Sequence, residues 1–195
     1  FFELAQAILA LFDLASQLEV ELEGASLSGV DDLLLFSGRN TLAVQCMNGL
    51  WEVLQFANAT LIGPDRWLLS RLLRAQAGTE DAMAAGAAPE AQIVLINGAV
   101  ASLELTRLEA ERAINLRIGL AGRELSDRFT TPLVHNTVRR GLRPLSPVHL
   151  RARRDPASGD IHLSWIRRTR IDGDLWEVPD VPLGEEGEAY QLDIL

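Results

Sequence analysis

The sequence predicts a mainly β protein with one short helix near its N-terminus, and three patterns indicate this fold class. Apolar and acidic residues alternate strictly from Leu18 to Glu23, which is the period of a strand with one buried face. Trp51–Phe56 is rich in aromatic and β-branched residues, and the strong turn Gly63–Arg66 follows it. Apolar and polar residues alternate again over 148–153 and 161–165. Successive half-buried strands of this kind are typical of packed antiparallel sheets.

The remaining elements follow from local spacing along the chain. Over 2–15, apolar residues recur at helical spacing, which predicts a short buried helix. Residues 51–74 are predicted to form a hairpin or meander around the Pro-containing turn. Thr79 or Asp81 is suited to cap a one-turn helix over 82–85. Further strands are predicted at 93–96, 101–105, 114–119, 132–138 and 189–194.

The segment 141–147 is the best candidate for a linker, because it contains two prolines, a glycine and a serine. The predicted organisation is therefore a β-rich domain over 1–140, the linker 141–147, and a second β domain over 148–195. The chain has no initiator Met and ends within a predicted strand, so we expect it to be an internal piece of a longer polypeptide.

Composition excludes several classes of function. The chain has 195 residues with 18 basic side chains, all arginine, against 27 acidic ones, and a net charge of −9. This acidity disfavours nucleic acid and anionic membranes as general partners. A single cysteine, Cys46, excludes an internal disulfide framework and a Cys-rich zinc site. The apolar run Leu4–Phe12 is too short to span a bilayer, and its acidic flanks do not fit a signal peptide.

The C-terminal part resembles the first half of a fibronectin type III-like module. The resemblance covers 147–195, through the runs P-V-H-L-R-A-R, S-G-D-I-H-L-S-W and E-A-Y-Q-L-D-I. Trp165 matches the core tryptophan of the second strand, and Tyr190 matches the tyrosine of the third. A complete module needs about 100 residues, so the resemblance implies a partial, truncated β-sandwich.

A longer stretch, from Phe12 to Asp174, resembles the C-terminal region of the large tail-tip protein of gene transfer agents and siphophages, also called the host-specificity or TIM-barrel-like phage tail protein. The residues that carry it are W-E-V-L-Q-F-A-N-A at 51–59, G-P-D-R-W-L-L-S-R-L-L-R-A-Q-A-G-T-E at 63–80, S-P-V-H-L-R-A-R at 146–153 and W-I-R-R-T-R-I-D-G-D at 165–174. One departure is Ala75, where that family usually has glycine. The family's glycosidase-like barrel lies upstream of this region, and nothing in the chain corresponds to it.

The resemblance implies a structural component of a phage-like tail tip or baseplate hub, made in the bacterial cytoplasm and residing in the virion tail. The implied partners are other tail-tip or baseplate proteins and further copies of the chain, with host surface polysaccharide as a possible contact. No enzymatic activity, cofactor or membrane insertion is expected. Two alternatives stay open: a carbohydrate-binding module that uses exposed aromatic residues, and an accessory domain of an upstream glycoside hydrolase-like barrel.

Few residues suggest chemistry, and each has a simpler structural interpretation. Trp176, after a turn, is the best candidate for an exposed sugar platform. Residues 139–170 carry a local charge of +7, and 171–195 carry −8. Arg167, Arg168 and Arg170 are therefore candidate partner contacts, and the favoured interpretation is that they face acids on adjacent strands or pair with a neighbouring subunit.

No catalytic or metal site is predicted. A retaining glycosidase needs two carboxyl groups about 5–5.5 Å apart in a cleft, and the acidic residues Glu19, Glu21, Glu23, Asp31 and Asp32 fit a solvated face better. His149 and His162 lack an evident third ligand. The spacing of Asp172, Asp174, Glu177 and Asp180 does not match a dedicated calcium loop, so cation binding by Asp172 and Asp174 stays open.

Overall fold

In the computed structural model, the described residues are 12–106, 109, 112–137, 140–173 and 180–193. The fold is mainly β with antiparallel sheets, which confirms the predicted class. The chain divides into two compact units. We call the first unit, residues 1–100 with 144–195, the body, and the second, residues 101–143, the hairpin unit.

The body contains β1 (Phe12–Glu21), α1 (Asp32–Phe36), β2 (Thr41–Gln45), β3 (Trp51–Gly63), β4 (Arg66–Gln76), α2 (Glu80–Ala85), β5 (Ile93–Ile96), β8 (Val148–Arg154) and β9 (Ile161–Ile166). The hairpin unit contains β6 (Ala113–Ile118), β7 (Thr131–Asn136) and a 3₁₀ turn at Arg140–Leu142. None of the helices that the structure describes has the length and apolar character needed to span a bilayer.

Five strands of the body form one antiparallel sheet in the order β1-β4-β3-β2-β5. The β3–β4 hairpin is its centre, and Asp65 in the turn has the left-handed backbone (φ 53°) that tight turns require. Because neighbouring residues of a strand point to opposite faces, the sheet buries two apolar clusters. The larger cluster is centred on Leu54, Phe56, Leu69 and Leu72, and the smaller one joins Leu35 of α1 to Ala57 and Leu73.

Side chains satisfy the ends of α1, whereas α2 begins without a side-chain cap. The Asp31 carboxylate accepts the Leu34 N–H at 2.8 Å and caps α1. Gln55 Nε2 donates to the carbonyls of Leu35 (2.6 Å) and Arg39 (2.8 Å), near the end of α1. The prediction of a helix after Thr79 is confirmed by α2. The Thr79 hydroxyl does not cap it, however: it donates to the Gln76 carbonyl (2.7 Å) and accepts the Val53 N–H (3.0 Å).

Most predicted strands are confirmed: 18–23 as the end of β1, 51–74 as β3 and β4, and 93–96, 114–119, 132–138, 148–153 and 161–165 as β5 to β9 with small shifts at their ends. Strand β2 escaped prediction because its three central residues are all buried, so its sequence does not alternate.

Three predicted elements need correction. The helix over 2–15 lies outside the described residues up to 11, and its last residues belong to β1, where Phe12 and Asp13 pair with Leu73 and Leu72 of β4. The spacing of apolar residues in this segment is compatible with a helix or a strand, and pairing with β4 decides for the strand. Residues 101–105 form no strand and are exposed. The predicted strand 189–194 is irregular over 189–193, and residue 194 lies outside the described residues.

The β8–β9 hairpin forms a second, two-stranded sheet of the body. Its turn is closed by hydrogen bonds between the Asp155 N–H and the Asp160 carbonyl and between the Gly159 N–H and the Asp155 carbonyl, both 2.8 Å long. Trp165 on β9 contacts Tyr190 edge to face, with ring centroids 4.8 Å apart. The two aromatic residues of the fibronectin-like resemblance are therefore in contact, although no strand forms at Tyr190.

Candidate interaction surfaces

The hairpin unit exposes an apolar sheet face. In the β6–β7 register, Ile114 lies opposite His135, Leu116 opposite Leu133 and Ile118 opposite Thr131, so these pairs share one face. On that face Ile118 is 58% exposed and Leu133 is 47% exposed. The loop between the strands adds the exposed side chains Leu120, Leu125 and Phe129.

This unit lacks an apolar core of its own within its described residues. Thr137 is the only buried side chain there, and its hydroxyl lies 2.9 Å from the Glu109 carbonyl while accepting the Arg112 N–H at 3.2 Å. A two-stranded hairpin in water is marginally stable unless another element covers its apolar face. Contiguous exposed apolar surface of this kind marks sites of association.

The β8–β9 sheet also has one apolar and one basic face, both accessible. Ala152 lies opposite Leu163 and Arg154 opposite Ile161, so these four share one face. Leu150, two residues before Ala152, extends this face, which is apolar except for Arg154 at its end. Leu150 is 61% exposed and Ile161 is 65% exposed. The other face carries Arg151 and Arg153 beside Ser164 and His162.

The three arginines predicted as partner contacts lie close together and are bonded to groups of the body. Arg167 donates to Asp180 (2.9 Å) and lies 3.3 Å from Glu188. Arg170 donates to Glu185 at 2.6 Å. Arg168 forms an ion pair with Glu80 of α2 and donates to the Ser146 carbonyl at 2.8 Å. The arginines thus pair with acids, but these acids lie on α2 and on irregular segments, not on adjacent strands as predicted. Their contact with a partner stays a prediction. Trp176 lies outside the described residues.

The histidines and the C-terminal acids are not assembled into a metal site in the part of the chain that the structure describes. No group of three or more His, Cys, Asp or Glu side chains there is arranged to hold a metal ion. His162 lies opposite Arg153, and His149 lies at an irregularity of β8 with a positive φ of 55°. Asp180 is bonded to Arg167, and Asp174 and Glu177 lie outside the described residues.

The acidic residues near the N-terminus have structural partners instead of forming a carboxylate pair. Glu19 forms an ion pair with Arg66 on the neighbouring strand β4. Asp32 accepts two hydrogen bonds from Arg71, one of them 2.9 Å long, and these bonds lower the pKa of the Asp32 carboxyl. Asp31 caps α1. These contacts account for the positions of Glu19, Asp31 and Asp32.

Sequence reasoning missed a buried charge network in the central sheet. Glu52 is fully buried and accepts hydrogen bonds from Arg74 Nε (2.7 Å), Arg74 Nη2 (2.8 Å) and the Ala75 N–H (3.0 Å). Arg74 Nη1 also lies 3.3 Å from Asp13 of β1. The network thereby links the three adjacent strands β1, β4 and β3. Its signal was available as single charged residues inside the apolar runs W-E-V-L-Q-F and L-L-R-A-Q.

The backbone around this network is bent. The β3–β4 register shifts between Val53 and Gln55, and Ala75 adopts a left-handed conformation with φ of 52°. That geometry directs the Ala75 N–H to the Glu52 carboxylate and explains why glycine suits this position. Cys46 is buried nearby, where desolvation and the charge of Glu52 raise the pKa of its thiol, as for a structural cysteine.

The two edge strands of the five-stranded sheet border a cleft of about 330 Å³. We call it the edge cleft: Leu18–Glu21 of β1 line one side, 87–91 and Ile93 the other, with Val44 between them. Consecutive residues of β1 line it, so the edge of that strand, not one of its faces, borders the cleft. Leu18, Val20, Val44 and Ala87 are core residues and supply an apolar floor, while Glu19, Glu21 and Glu90 supply acidic groups.

Comparison with known proteins gives one similarity. A family model described as "Rcc01698-like, C-terminal" matches residues 2–94, a little less than half of the chain. The matched segment reaches into β5 and includes the first four strands of the central sheet and the buried charge network. No curated protein matches the chain significantly. The N-terminal part of the chain is thus similar to the C-terminal domain of Rcc01698-like proteins.

Proposed function

We propose that the chain is a structural component of a phage-like tail tip or baseplate hub, which contributes to assembly and to contact with the host surface. The tail-tip resemblance over 12–174 supports this role. The observation that carries it is the exposed apolar face of β6–β7, because a structural subunit needs surfaces that neighbours cover. Its partners are then neighbouring tail-tip or baseplate proteins and other copies of the chain, in the virion tail.

The proposal predicts association through the hairpin unit. Sedimentation velocity of the full chain should show a concentration-dependent shift to larger species. The double variant Ile118→Thr/Leu133→Thr keeps strand-forming residues but removes apolar surface, so it should shift the chain towards monomer. Val134→Thr is the matched control, since Val134 is equally exposed but lies on the opposite face of the same strand. A wild-type chain that stays monomeric at every concentration would contradict the proposal.

Location in a particle is a separate test. Gold-labelled antibody against the chain should mark one end of tails in electron micrographs of particles released by the producing bacterium. Labelling along the whole tail, on the capsid, or only on free protein would refute the tail-tip assignment.

A further inference from the structure

The edge cleft has the geometry of a site for an added strand. Among the described residues β1 pairs only with β4 and β5 only with β2, so each has one edge that no described strand covers. Unpaired backbone groups on such an edge can accept another strand. Four residues of β1 border the cleft, a length of roughly 13 Å at about 3.3 Å per residue. A short strand of about four residues therefore matches it.

The cleft also specifies the character of that strand. On β1, Leu18 and Val20 point to the core, whereas Glu19 and Glu21 point outward. An added neighbour must repeat this alternation, with apolar side chains inward and basic ones outward. Glu21 lies opposite Arg66 of β4, whose guanidinium forms its ion pair with Glu19. Within the described residues neither Glu21 nor Glu90 forms an ion pair of its own, so both can meet a basic partner.

Strand β8 has this pattern. Leu150 and Ala152 lie on one face, and Arg151 and Arg153 lie on the other. Arg151 and Arg153 are exposed and form no ion pair within the described part of the chain. In the part of the chain that the structure describes, β8 pairs only with β9, so no described strand covers its outer edge. The alternation of apolar and basic residues on β8 thus complements the alternation of apolar and acidic residues on β1 at the edge cleft.

We propose that β8 of a second copy of the chain binds in the edge cleft as an added strand. Leu150 and Ala152 cover the apolar floor, and Arg151 and Arg153 pair with Glu21 and Glu90. The two surfaces differ, so the contact is head-to-tail and repeats as a ring or a filament. This inference rests on the proposed function only in that both require copies of the chain to associate.

Charge reversal tests the contact. The cleft variant Glu21→Arg/Glu90→Arg and the strand variant Arg151→Glu/Arg153→Glu each place like charges against each other, so each alone should associate at least tenfold more weakly than wild type. An equimolar mixture should regain association, because each variant then meets a partner of opposite charge. The control Glu104→Arg/Glu186→Arg makes the same change in net charge at exposed acids outside the cleft and should associate like wild type.

The neutral pairs Glu21→Gln/Glu90→Gln and Arg151→Gln/Arg153→Gln form the second test if a reversed variant misfolds. Each alone should weaken association. In their mixture the intact β8 of the first variant meets the intact cleft of the second, so heterodimers should form, whereas growth beyond a pair should stay weak. Reversed variants that associate like wild type, or a mixture of folded variants without rescue, would overturn this docking. If the charge variants give either result but Ile118→Thr/Leu133→Thr still dissociates the chain, only the docking of β8 is wrong and the proposed function is retained. A wild-type chain that never associates removes both.

Discussion

Replacing Arg74 by Met tests whether the buried charge network stabilises the central sheet. Met keeps most of the length and apolar character of the arginine stem but removes the guanidinium. The Glu52 carboxylate, fully buried, then keeps only the Ala75 N–H at 3.0 Å as a described donor and loses two hydrogen bonds of 2.7 and 2.8 Å. An uncompensated buried charge of this kind costs about 3–5 kcal/mol.

That magnitude is large against the total free energy of unfolding, which is about 5–15 kcal/mol for most domains. With a urea m-value of about 2 kcal/mol/M, a loss of about 4 kcal/mol lowers the midpoint by about 2 M. Tryptophan fluorescence reports the transition, because Trp51 and Trp67 lie on the same strands as Glu52 and Arg74.

The double variant Glu52→Leu/Arg74→Met is the matched control. It replaces both charges of the Glu52–Arg74 pair by apolar groups, so Glu52 no longer leaves a buried carboxylate without its cation. Asp13 loses Arg74 in both variants but keeps the hydrogen bonds from the Ala15 and Ser16 N–H groups. Its loss of stability should be smaller than that of Arg74→Met alone, and the two single changes should be strongly non-additive. A loss below about 1 kcal/mol for Arg74→Met, or a double variant equal to the sum of the singles, would refute the reasoning.

Three further predictions concern stability. Asp31→Ala removes the cap of α1 and should lower the free energy of unfolding by about 1 kcal/mol, measured by urea titration; Asp31→Asn, which can still accept the Leu34 N–H, should lose less. Ala75→Gly should raise the free energy of unfolding by about 0.5–1 kcal/mol, because glycine removes the steric cost of the left-handed conformation and this gain exceeds the extra entropy of glycine in the unfolded chain. A less stable variant would show that Ala75 is not strained. At Asp13, burial raises the pKa of the carboxyl, but hydrogen bonds from Ser16 and Ala15 and the charge of Arg74 outweigh it and hold that pKa below its ordinary 3.8. This contribution to stability is present above pH 3.8 and is lost as the pH falls below that value. On acidification the melting temperature of Asp13→Asn should therefore fall less than that of wild type. Equal falls in the two melting temperatures would contradict the prediction.

Local sequence patterns predicted much of the fold because a half-buried strand leaves a period-2 signal. Residues 93–96, which became β5, show a second kind of signal, because a continuous run of strand-forming apolar residues ended by Asn97-Gly98 located the strand to the residue. The period-2 signal is absent where both faces of a strand are buried, as at β2. It is ambiguous where the apolar residues fit both helical and strand spacing, as at 12–15. It also gives no information about whether a strand finds a neighbour, and residues 101–105 and 189–193 accordingly form no strand.

The candidate surfaces depended on information of longer range. The arginine run suggested pairing with acids, and the contacts of Arg167 and Arg170 with Asp180 and Glu185 agree with this. The partner Glu80 of Arg168 is 88 residues away in sequence, so no local pattern indicates that ion pair. The edge cleft likewise requires the sheet order, since β1 and β5 are distant in sequence and become the two edges only after β4, β3 and β2 pair between them.

The sequence by itself therefore determined the mainly β class, the β3–β4 and β8–β9 hairpins with their turns, and the alternation that turns Glu19 and Glu21 away from the core. These features depend on steric preferences and on side-chain period, which act between near neighbours. Tertiary structure alone decided that residues 12–15 join β1, that Glu52 and Arg74 are buried together, and that the β6–β7 face is exposed. Each of these depends on which distant segment covers or pairs with a residue, and that is a property of the whole packed chain.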